Sequence, residues 1–393
     1  MKCAIHFSVP GSACLVFFLL NASGQEMQPW DGKAGILLQN PAGAKISPLI
    51  SAAMSASPPR AMTGSGLAAV SGGIHVKVVA PGEHDLLLPM PQLADCQAPV
   101  AYSISCTPEN ALSECRIQER PEGNAFLNVR LGAPTDQDVK IEWSAVVLIA
   151  TKPVATNHTR SEGYLAATPC AQSGDKRIAE LANKLWPTSA TAGQYPKAIQ
   201  AYIRDLKQTS QPRSLDALGV LASGANWICT ANANLSAALM RARHVPCRSI
   251  AVVPPISRKL EMHRVVECYD HDKWISFDPS LVQADVPLKP WHEIIMVKTT
   301  VADEQTSMKP RMASALGCPF AQEVELAAGL TLSGNDFFWI IAAPLAQFEV
   351  GDEAARRTAD AWKKFLKTGV LPDSSAKAAA ATNLDQFLSA LNR

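Results

Sequence analysis

The sequence predicts an α+β protein with an N-terminal antiparallel β-sandwich, a central domain in which a helix packs on an antiparallel sheet, and C-terminal helices. Three observations lead to this prediction. Apolar and polar residues alternate in short runs between about residues 73 and 153, as in strands with one buried face. From about residue 176 to residue 221 the apolar residues recur at helical spacing instead. An Ala- and Leu-rich helical segment then precedes two more alternating segments, which is typical of a helix beside a β-hairpin.

Length and charge limit the classes of function. A chain of 393 residues is expected to form two or three domains. Its composition, 47% hydrophobic and 18% charged, is that of an ordinary globular protein. The 36 basic and 35 acidic residues nearly cancel, and no basic stripe is present, which argues against nucleic acid as a partner.

The first residues resemble an export signal. Lys2 is followed by the apolar run 13–20 and then by small residues at Ala22 and Gly24. This arrangement predicts a cleavable signal peptide over residues 1–24. The apolar run is well short of the roughly 18 residues that a membrane span requires. We therefore expect an exported chain, periplasmic or secreted, without a stable membrane span; its oligomeric state is left open.

The mature chain divides into four predicted regions. Residues 25–72 are rich in Ala, Ser, Gly and Pro without a sustained period, which predicts a flexible linker or arm. Residues 73–155 contain the alternating runs of the β-sandwich domain. The central domain is predicted over 165–305. Residues 306–393 form a mixed or helical region, with helices expected from Asp352 to Lys367 and over 383–391.

The cysteine content fits an oxidising compartment. Of ten cysteines, two lie in the predicted signal peptide and eight remain. Some of these are expected to pair after export. The sequence favours one disulfide among Cys96, Cys106 and Cys115 and another that joins Cys247 to Cys268.

Cys229 is the first candidate catalytic residue. The stretch that follows places Ala231, Leu235, Ala238 and Leu239 on one helical stripe, and the residues before it resemble a turn. Cys229 is therefore expected at a helix N-terminus, where the helix dipole favours a thiolate and free amides can stabilise an oxyanion. Alternatively, Cys229 is a buried small side chain or half of a disulfide.

His263 and Asp278 are the other two candidates. Residues 262–269 and 273–278 alternate like strands, and a hairpin centred on residues 271 and 272 pairs residues whose numbers sum to 543. In that register His263 and Asp278 are diagonal neighbours on one face, with backbones roughly 7–8 Å apart. A carboxylate at that distance can hold the imidazole in one tautomer. The sequence therefore predicts a catalytic triad of Cys229, His263 and Asp278.

The nucleophile segment resembles the transglutaminase-like superfamily. Members carry a Cys that opens a helix, an Ala four residues later, a Leu/Met-Arg pair near the helix end and a Gly-Ile-Pro-Ala-Arg-like turn. The corresponding residues here are Cys229, Ala233, Met240-Arg241 and His244-Val245-Pro246-Cys247-Arg248.

The second half of the resemblance covers the hairpin. The family has a His strand with a Glu four residues on, a Trp and then Asp-Pro-Thr; here these are His263, Glu267, Trp274 and Asp278-Pro279-Ser280. The resemblance extends over about residues 176–300. It implies a papain-like fold and acyl transfer through a Cys thioester without a cofactor.

Departures from the family pattern affect the entrance and the cleft. His244 replaces the usual Gly, Cys247 the usual small residue, and Trp227 a common Gly two residues before the nucleophile. Arg264 and Val265 stand where an Ala-Trp pair is frequent. The identity of the substrate is therefore left open more than the identity of the triad.

Three functions are compatible with these residues. The favoured one is hydrolysis of peptide or amide bonds in a protein or peptide substrate, and the second is protein crosslinking by a transglutaminase. The third is a non-catalytic binding or scaffold module that keeps the fold. A zinc site from Cys247, Cys268, His263 and His271 is disfavoured because it lacks paired-ligand spacing. No metal, nucleotide or redox cofactor is predicted.

Overall fold

The computed structural model describes the following residues: 37–39, 64–120, 123–152, 154, 161–186, 194–208, 214–226, 228–254, 262–280, 293–305, 325–333, 338–347 and 352–368. The predicted signal peptide, most of the predicted arm and the predicted helix over 383–391 lie outside these residues. The described α-helices are α1 (Lys176–Leu185), α2 (Tyr195–Asp205), α3 (Ala217–Ser223), α4 (Cys229–Ala242), α5 (Val301–Gln305) and α6 (Asp352–Thr368).

The described strands fall into two parts of the chain. In the first part they are β1 (Leu37–Gln39), β2 (Gly66–Val78), β3 (His84–Pro89), β4 (Gln97–Thr107), β5 (Leu112–Glu119), β6 (Ala125–Leu131) and β7 (Asp138–Ile149). In the second they are β8 (Lys207–Gln208), β9 (Ala225–Asn226), β10 (Cys247–Val253), β11 (His263–Asp270), β12 (Lys273–Phe277), β13 (Ile294–Lys298), β14 (Glu325–Leu326), β15 (Leu330–Leu332) and β16 (Phe338–Gln347).

Two largely antiparallel sheets come from the N-terminal region. One has the order β1-β4-β7-β2-β15, with β16 also paired to β2; the other has the order β14-β3-β6-β5. Strand β1 is parallel to β4, and the other pairs in these sheets are antiparallel. Buried side chains from both sheets belong to one hydrophobic cluster.

Strand β2 begins at Gly66, although residues up to 72 were predicted as part of the arm. The stretch Leu67–Val70 is fully buried because β7 and β16 flank β2 and both of its faces are covered. A strand buried on both faces shows no alternation, which is why the sequence pattern missed it. Gly72 lies opposite Trp143, and a Cβ there would approach the indole to 2.6 Å, so this position needs a glycine.

The described C-terminal residues complete the N-terminal sheets. Strand β14 pairs with β3, while β15 and β16 pair with β2. The helix predicted from Asp352 is present as α6, and it packs on β4 with Trp362 against Tyr102 at a ring-centroid distance of 5.4 Å. The region predicted as mixed or helical therefore adds strands and a helix to the N-terminal sheets.

The central domain has the predicted helix on an antiparallel sheet. The sheet order is β12-β11-β10-β13, and α4 contacts β10 and β11. Residues 231–241 of α4 are all buried, whereas the sequence predicted a single apolar stripe. The helix has no solvent-facing side over this stretch because α1, α2 and α3 pack on it as well as the sheet.

The two parts of the chain are joined by buried hydrogen bonds. Gln97 Nε2 donates to the main-chain oxygen of Ile295 at 2.9 Å, and Gln92 Nε2 donates to that of Met296 at 2.8 Å. Lys298 Nζ donates to the main-chain oxygen of Leu93 at 2.6 Å. These bonds fix the edge strand β13 of the central sheet against the N-terminal sheets.

The predicted hairpin register is confirmed. Val266 pairs with Phe277 and the remaining β11–β12 pairs follow the same sum of 543. His271 and Asp272 form the turn, with φ angles of 47° and 60°. Two consecutive left-handed residues are the geometry of a two-residue type I′ turn, which matches the twist of the flanking strands.

The two predicted disulfides are absent from the described residues, since Cys106, Cys115, Cys247 and Cys268 are all thiols. Cys106 and Cys115 lie on strands of different sheets, β4 and β5. Cys247 and Cys268 are direct cross-strand neighbours, as the predicted pairing required, but both are buried as thiols. Among the described helices, none is long and apolar enough to cross a membrane.

Candidate active site

Cys229 is the first residue of α4. The preceding Ile228 is extended and has no polar side chain with which to cap the helix. The first-turn amides of α4 therefore receive no side-chain acceptor from the N-cap residue. Cys229 as a whole residue is partly exposed.

The structure brings the three predicted residues together. His263 opens β11 and Asp278 directly follows β12, and His263 Nε2 is 2.7 Å from Asp278 Oδ2. The Cys229 thiol is hydrogen-bonded to His263. Because Asp278 occupies Nε2, Nδ1 is the ring nitrogen available to the thiol. The His263 side chain is 27% exposed and that of Asp278 is 6% exposed. The carboxylate is therefore shielded from solvent while the ring reaches the surface beside the thiol.

The thiol and the imidazole favour each other's charged forms. Burial opposes ionisation of Cys229, but the hydrogen bond and positive charge of His263 outweigh it and hold the pKa of the thiol below its ordinary value. Burial also opposes a charged ring, yet hydrogen bonds to Asp278 and Cys229 raise the pKa of His263 to about 10. Both directions favour a thiolate–imidazolium pair over the neutral thiol and ring.

Arg264 also contributes to the state of the thiol. Its main-chain N–H is hydrogen-bonded to Cys229, and the positive charge of its side chain lowers the pKa of Cys229 further. The guanidinium is buried and its Nη1 donates to Thr299 Oγ1 at 2.8 Å. The sequence marked Arg264 only as a departure from the family pattern; a charged residue beside the candidate His was the signal for this role.

Asp278 is held by Ser280, which belongs to the Asp-Pro-Ser motif, and by Gln200, which the sequence did not single out. Its Oδ1 accepts the main-chain N–H of Ser280 at 2.8 Å, and its main-chain oxygen accepts Gln200 Nε2 at 2.7 Å. Ser280 Oγ in turn accepts Asn232 Nδ2 at 3.0 Å. A polar Asn one turn after Cys229, inside an apolar helix, was the available signal.

Arg241 anchors the other end of α4. Its Nη1 and Nη2 donate to the two carboxylate oxygens of Glu304 at 2.6 and 2.9 Å, and its Nε and Nη2 donate to the main-chain oxygen of Cys247 at 2.9 and 2.6 Å. Thr168 Oγ1 donates to the same carboxylate at 2.9 Å. Arg241 and Glu304 are 0% and 4% exposed, so this motif residue is structural.

Three other motif residues, on β10, β11 and β12, contact one another. Arg248 Nε donates to Glu267 Oε2 at 2.9 Å, and the Arg248 guanidinium lies 3.9 Å from the centroid of the Trp274 ring. This buried cation–π contact and ion pair tie β10, β11 and β12 together. These residues support the sheet from which His263 and Asp278 project.

Among the described residues, no group of three or more His, Cys, Asp or Glu side chains is arranged to hold a metal ion. The chemistry available to the site is that of a thiolate next to an imidazolium whose ring is oriented by a carboxylate. Such a site performs nucleophilic attack on an electrophilic carbonyl, with the ring as proton donor and acceptor.

Comparison with known proteins agrees with the sequence resemblance. Residues 179–279 match the family model described as the transglutaminase-like superfamily. No curated protein matches the chain. A solved candidate cysteine protease from Cytophaga hutchinsonii has 17% sequence identity, covers 74% of this chain and 96% of its own, and superposes with a TM-score of 0.51.

Two further solved structures are more distant. The periplasmic domain of TgpA from Pseudomonas aeruginosa has 13% identity, covers 60% of this chain and 94% of its own, and gives a TM-score of 0.30. A candidate protease from Parabacteroides distasonis has 14% identity, covers 50% of this chain and 43% of its own, and gives 0.23. The Cytophaga hutchinsonii structure shares the fold of this chain. The family match covers all three candidate residues. Residues 179–279 therefore belong to the transglutaminase-like superfamily.

Proposed function

We propose that this chain is an exported cysteine hydrolase that cleaves peptide or amide bonds in a protein or peptide substrate. Cys229 is the nucleophile, His263 is the general acid and base, and Asp278 orients the His263 ring. The observation that supports this assignment most strongly is the chain of hydrogen bonds from the Cys229 thiol through His263 to Asp278, with 2.7 Å between His263 Nε2 and Asp278 Oδ2.

The first half of the reaction forms a thioester. The Cys229 thiolate attacks the substrate carbonyl carbon, and the resulting oxyanion is stabilised by main-chain amides at the start of α4. His263 then donates its Nδ1 proton to the leaving amine as the C–N bond breaks. Asp278 remains a carboxylate and holds Nε2, so the ring keeps Nδ1 directed at the sulfur.

The second half consumes water. His263, now neutral, accepts a proton from a water molecule that attacks the thioester carbonyl, and the C–S bond breaks to release the carboxylic acid. The 27% exposure of the His263 side chain supports access of bulk water to the thioester. This access favours water over an amine as the acyl acceptor.

The N-terminal sheets are assigned a supporting role. We propose that they form the sandwich predicted from the sequence, because buried residues of both sheets share one cluster. Their hydrogen bonds to β13 hold the central sheet on the side of that strand. Export rests on the apolar run 13–20, and mass spectrometry of the mature chain from its native host tests whether cleavage occurs after residue 24.

The nucleophile is tested with an acylating, thiol-directed probe on purified, reduced protein. Cys229 is expected to label faster in the folded protein than in the denatured chain, and Cys229→Ala is expected to abolish this fast labelling. Cys115→Ala is a matched control, because Cys115 is partly exposed and burial raises its pKa to about 12. If folded and denatured Cys229 label at equal rates, the chain is a binding module instead.

The acyl acceptor is tested on the labelled protein itself. The thioester of Cys229 is incubated with water alone or with a primary amine, and the released products are separated by mass. Release as the free acid in both conditions supports hydrolysis. Release mainly as the amide indicates a crosslinking transglutaminase.

A further inference from the structure

Asn232 has an unusual place in the nucleophile helix. It lies three residues after Cys229, and residues at this spacing occupy the same helix face. The residue is 1% exposed and lies within the stretch 231–241 that is buried throughout. A buried amide costs free energy unless it is hydrogen-bonded, so its partners indicate why a polar residue occupies the position.

The side chain of Asn232 connects the helix to the Asp278 loop. Asn232 Nδ2 donates to Ser280 Oγ at 3.0 Å, and the Ser280 main-chain N–H donates to Asp278 Oδ1 at 2.8 Å. Asp278 Oδ2 contacts His263 Nε2 at 2.7 Å, and His263 is bonded to Cys229. These contacts form a closed ring that leaves α4 at Asn232 and returns to it at Cys229.

Asp278 needs support of this kind because it lies beyond the sheet. Strand β12 ends at Phe277, so the hydrogen bonds of the ladder do not orient residues 278–280. Gln200 of α2 holds the main-chain oxygen of Asp278, which leaves the direction of the carboxylate to the Ser280 contact.

We infer that Asn232 and Ser280 are positioning residues, which lock the Asp278 carboxylate to the helix that carries the nucleophile. They keep the thiol, the ring and the carboxylate in register, and they touch none of the reacting atoms. The inference rests on the proposed function, since it concerns the geometry of the same triad.

The test measures Cys229 alkylation by iodoacetamide as a function of pH, quantified on the peptide that contains Cys229. The proteins compared are the full chain, Asn232→Ala, Ser280→Ala and the double variant. Without the lock, the carboxylate stabilises the imidazolium less well, and the thiolate loses part of its counter-charge. We expect the alkylation midpoint of each single variant to rise by roughly one pH unit, with about tenfold slower alkylation at pH 6.

The double variant separates positioning from general stability. Because both residues act through one hydrogen bond, the double variant is expected to shift the midpoint no further than either single variant. Ser280→Thr retains a hydroxyl and is the matched control, with a midpoint equal to that of the unchanged protein. Ser280 is partly exposed in a loop, so Ser280→Ala is informative even if Asn232→Ala does not fold.

Two results would overturn the inference. One is an unchanged midpoint in Ser280→Ala, and the other is a double variant whose shift equals the sum of the single shifts. Failure of the proposed function has a different signature, namely an unchanged protein whose Cys229 already titrates like an ordinary thiol.

Discussion

The two ends of helix α4 differ in the exposure and in the contacts of their charged groups. At the N-terminus, Cys229 is partly exposed and follows Ile228, which has no capping side chain. The thiol lies beside the partly exposed His263 ring. At the C-terminus, Arg241 is fully buried and its guanidinium is satisfied by the Glu304 carboxylate and by main-chain oxygens. The helix dipole favours both arrangements, an anion at the start and a cation in the last turn.

Under the proposed function, the N-terminal end of α4 is reactive and the C-terminal end contributes to stability. A charge that stays partly exposed and shares protons is available for chemistry. A charge that is buried in a bidentate pair is not, and removing one partner leaves the other without compensation. Substitutions at the two ends should therefore change different observables.

The largest effect is expected at the reactive end. His263→Ala removes the proton donor and the counter-charge of the thiolate, and it should slow labelling of Cys229 by the acylating probe at pH 7 by about 10²–10⁴-fold. Quantitative mass spectrometry of the labelled peptide measures the rate. Labelling within tenfold of the unchanged protein would mean that the ring does not activate the thiol.

The next effect concerns stability at the C-terminal end of α4. Arg241→Met leaves the buried Glu304 carboxylate without its cation and should lower the free energy of unfolding by about 3–5 kcal/mol, measured by urea titration. The paired variant Arg241→Met with Glu304→Leu removes both charges and should regain most of this loss. Equal stability of Arg241→Met and the unchanged protein would contradict the assigned structural role.

A smaller effect is expected for Arg264. Arg264→Met removes a buried positive charge while its main-chain N–H still contacts the thiol, so the pKa of Cys229 should rise towards its ordinary value. Iodoacetamide alkylation of Cys229 at pH 6 should slow about three- to tenfold. Arg264→Lys retains the charge and should lose less; a rate in Arg264→Met equal to that of the unchanged protein would remove Arg264 from the site.

The smallest effect on stability is expected at His244, just after the C-terminal end of α4. His244 has a φ of 57°, in the left-handed region that glycine adopts without a steric cost, and its N–H donates to the main-chain oxygen of Arg241 at 2.9 Å. His244→Gly should raise the free energy of unfolding by about 0.5–1 kcal/mol. The control is His244→Ala, which keeps a Cβ and should not stabilise the protein. A lower free energy of unfolding for His244→Gly would show that the backbone of His244 is not strained.

Local patterns in the sequence carried most of the site. The register of β11 and β12 was predicted because the turn at His271 and Asp272 has two residues and the strands alternate on either side. That register alone places His263 near Asp278. The helix start at Cys229 was equally visible, since turn residues precede it and apolar spacing follows it.

What the sequence missed depends on contacts between distant segments. Strands β14, β15 and β16 pair with β2 and β3 across more than 200 residues, and no local period reports such a pairing. Burial around the whole of α4, and with it the contact of Asn232 with Ser280, requires knowing which helices surround it. The predicted disulfide among Cys96, Cys106 and Cys115 is absent for a related reason, because compartment and count do not show which sheet carries each thiol.

The protonation state of the His263 ring shows whether the proposed thiolate–imidazolium pair exists. Nitrogen-15 NMR of the histidine rings, with His263→Ala used for assignment, reports whether this ring is neutral or cationic at each pH. Because hydrogen bonds to Asp278 and Cys229 raise the pKa of His263, the ring is predicted to remain cationic at about pH 8 and to lose its proton only near pH 10. In Cys229→Ala the proton should be lost at a lower pH, since one of its stabilising partners is gone. A ring that titrates near its ordinary value of about 6.5 in the unchanged protein would contradict the thiolate–imidazolium pair.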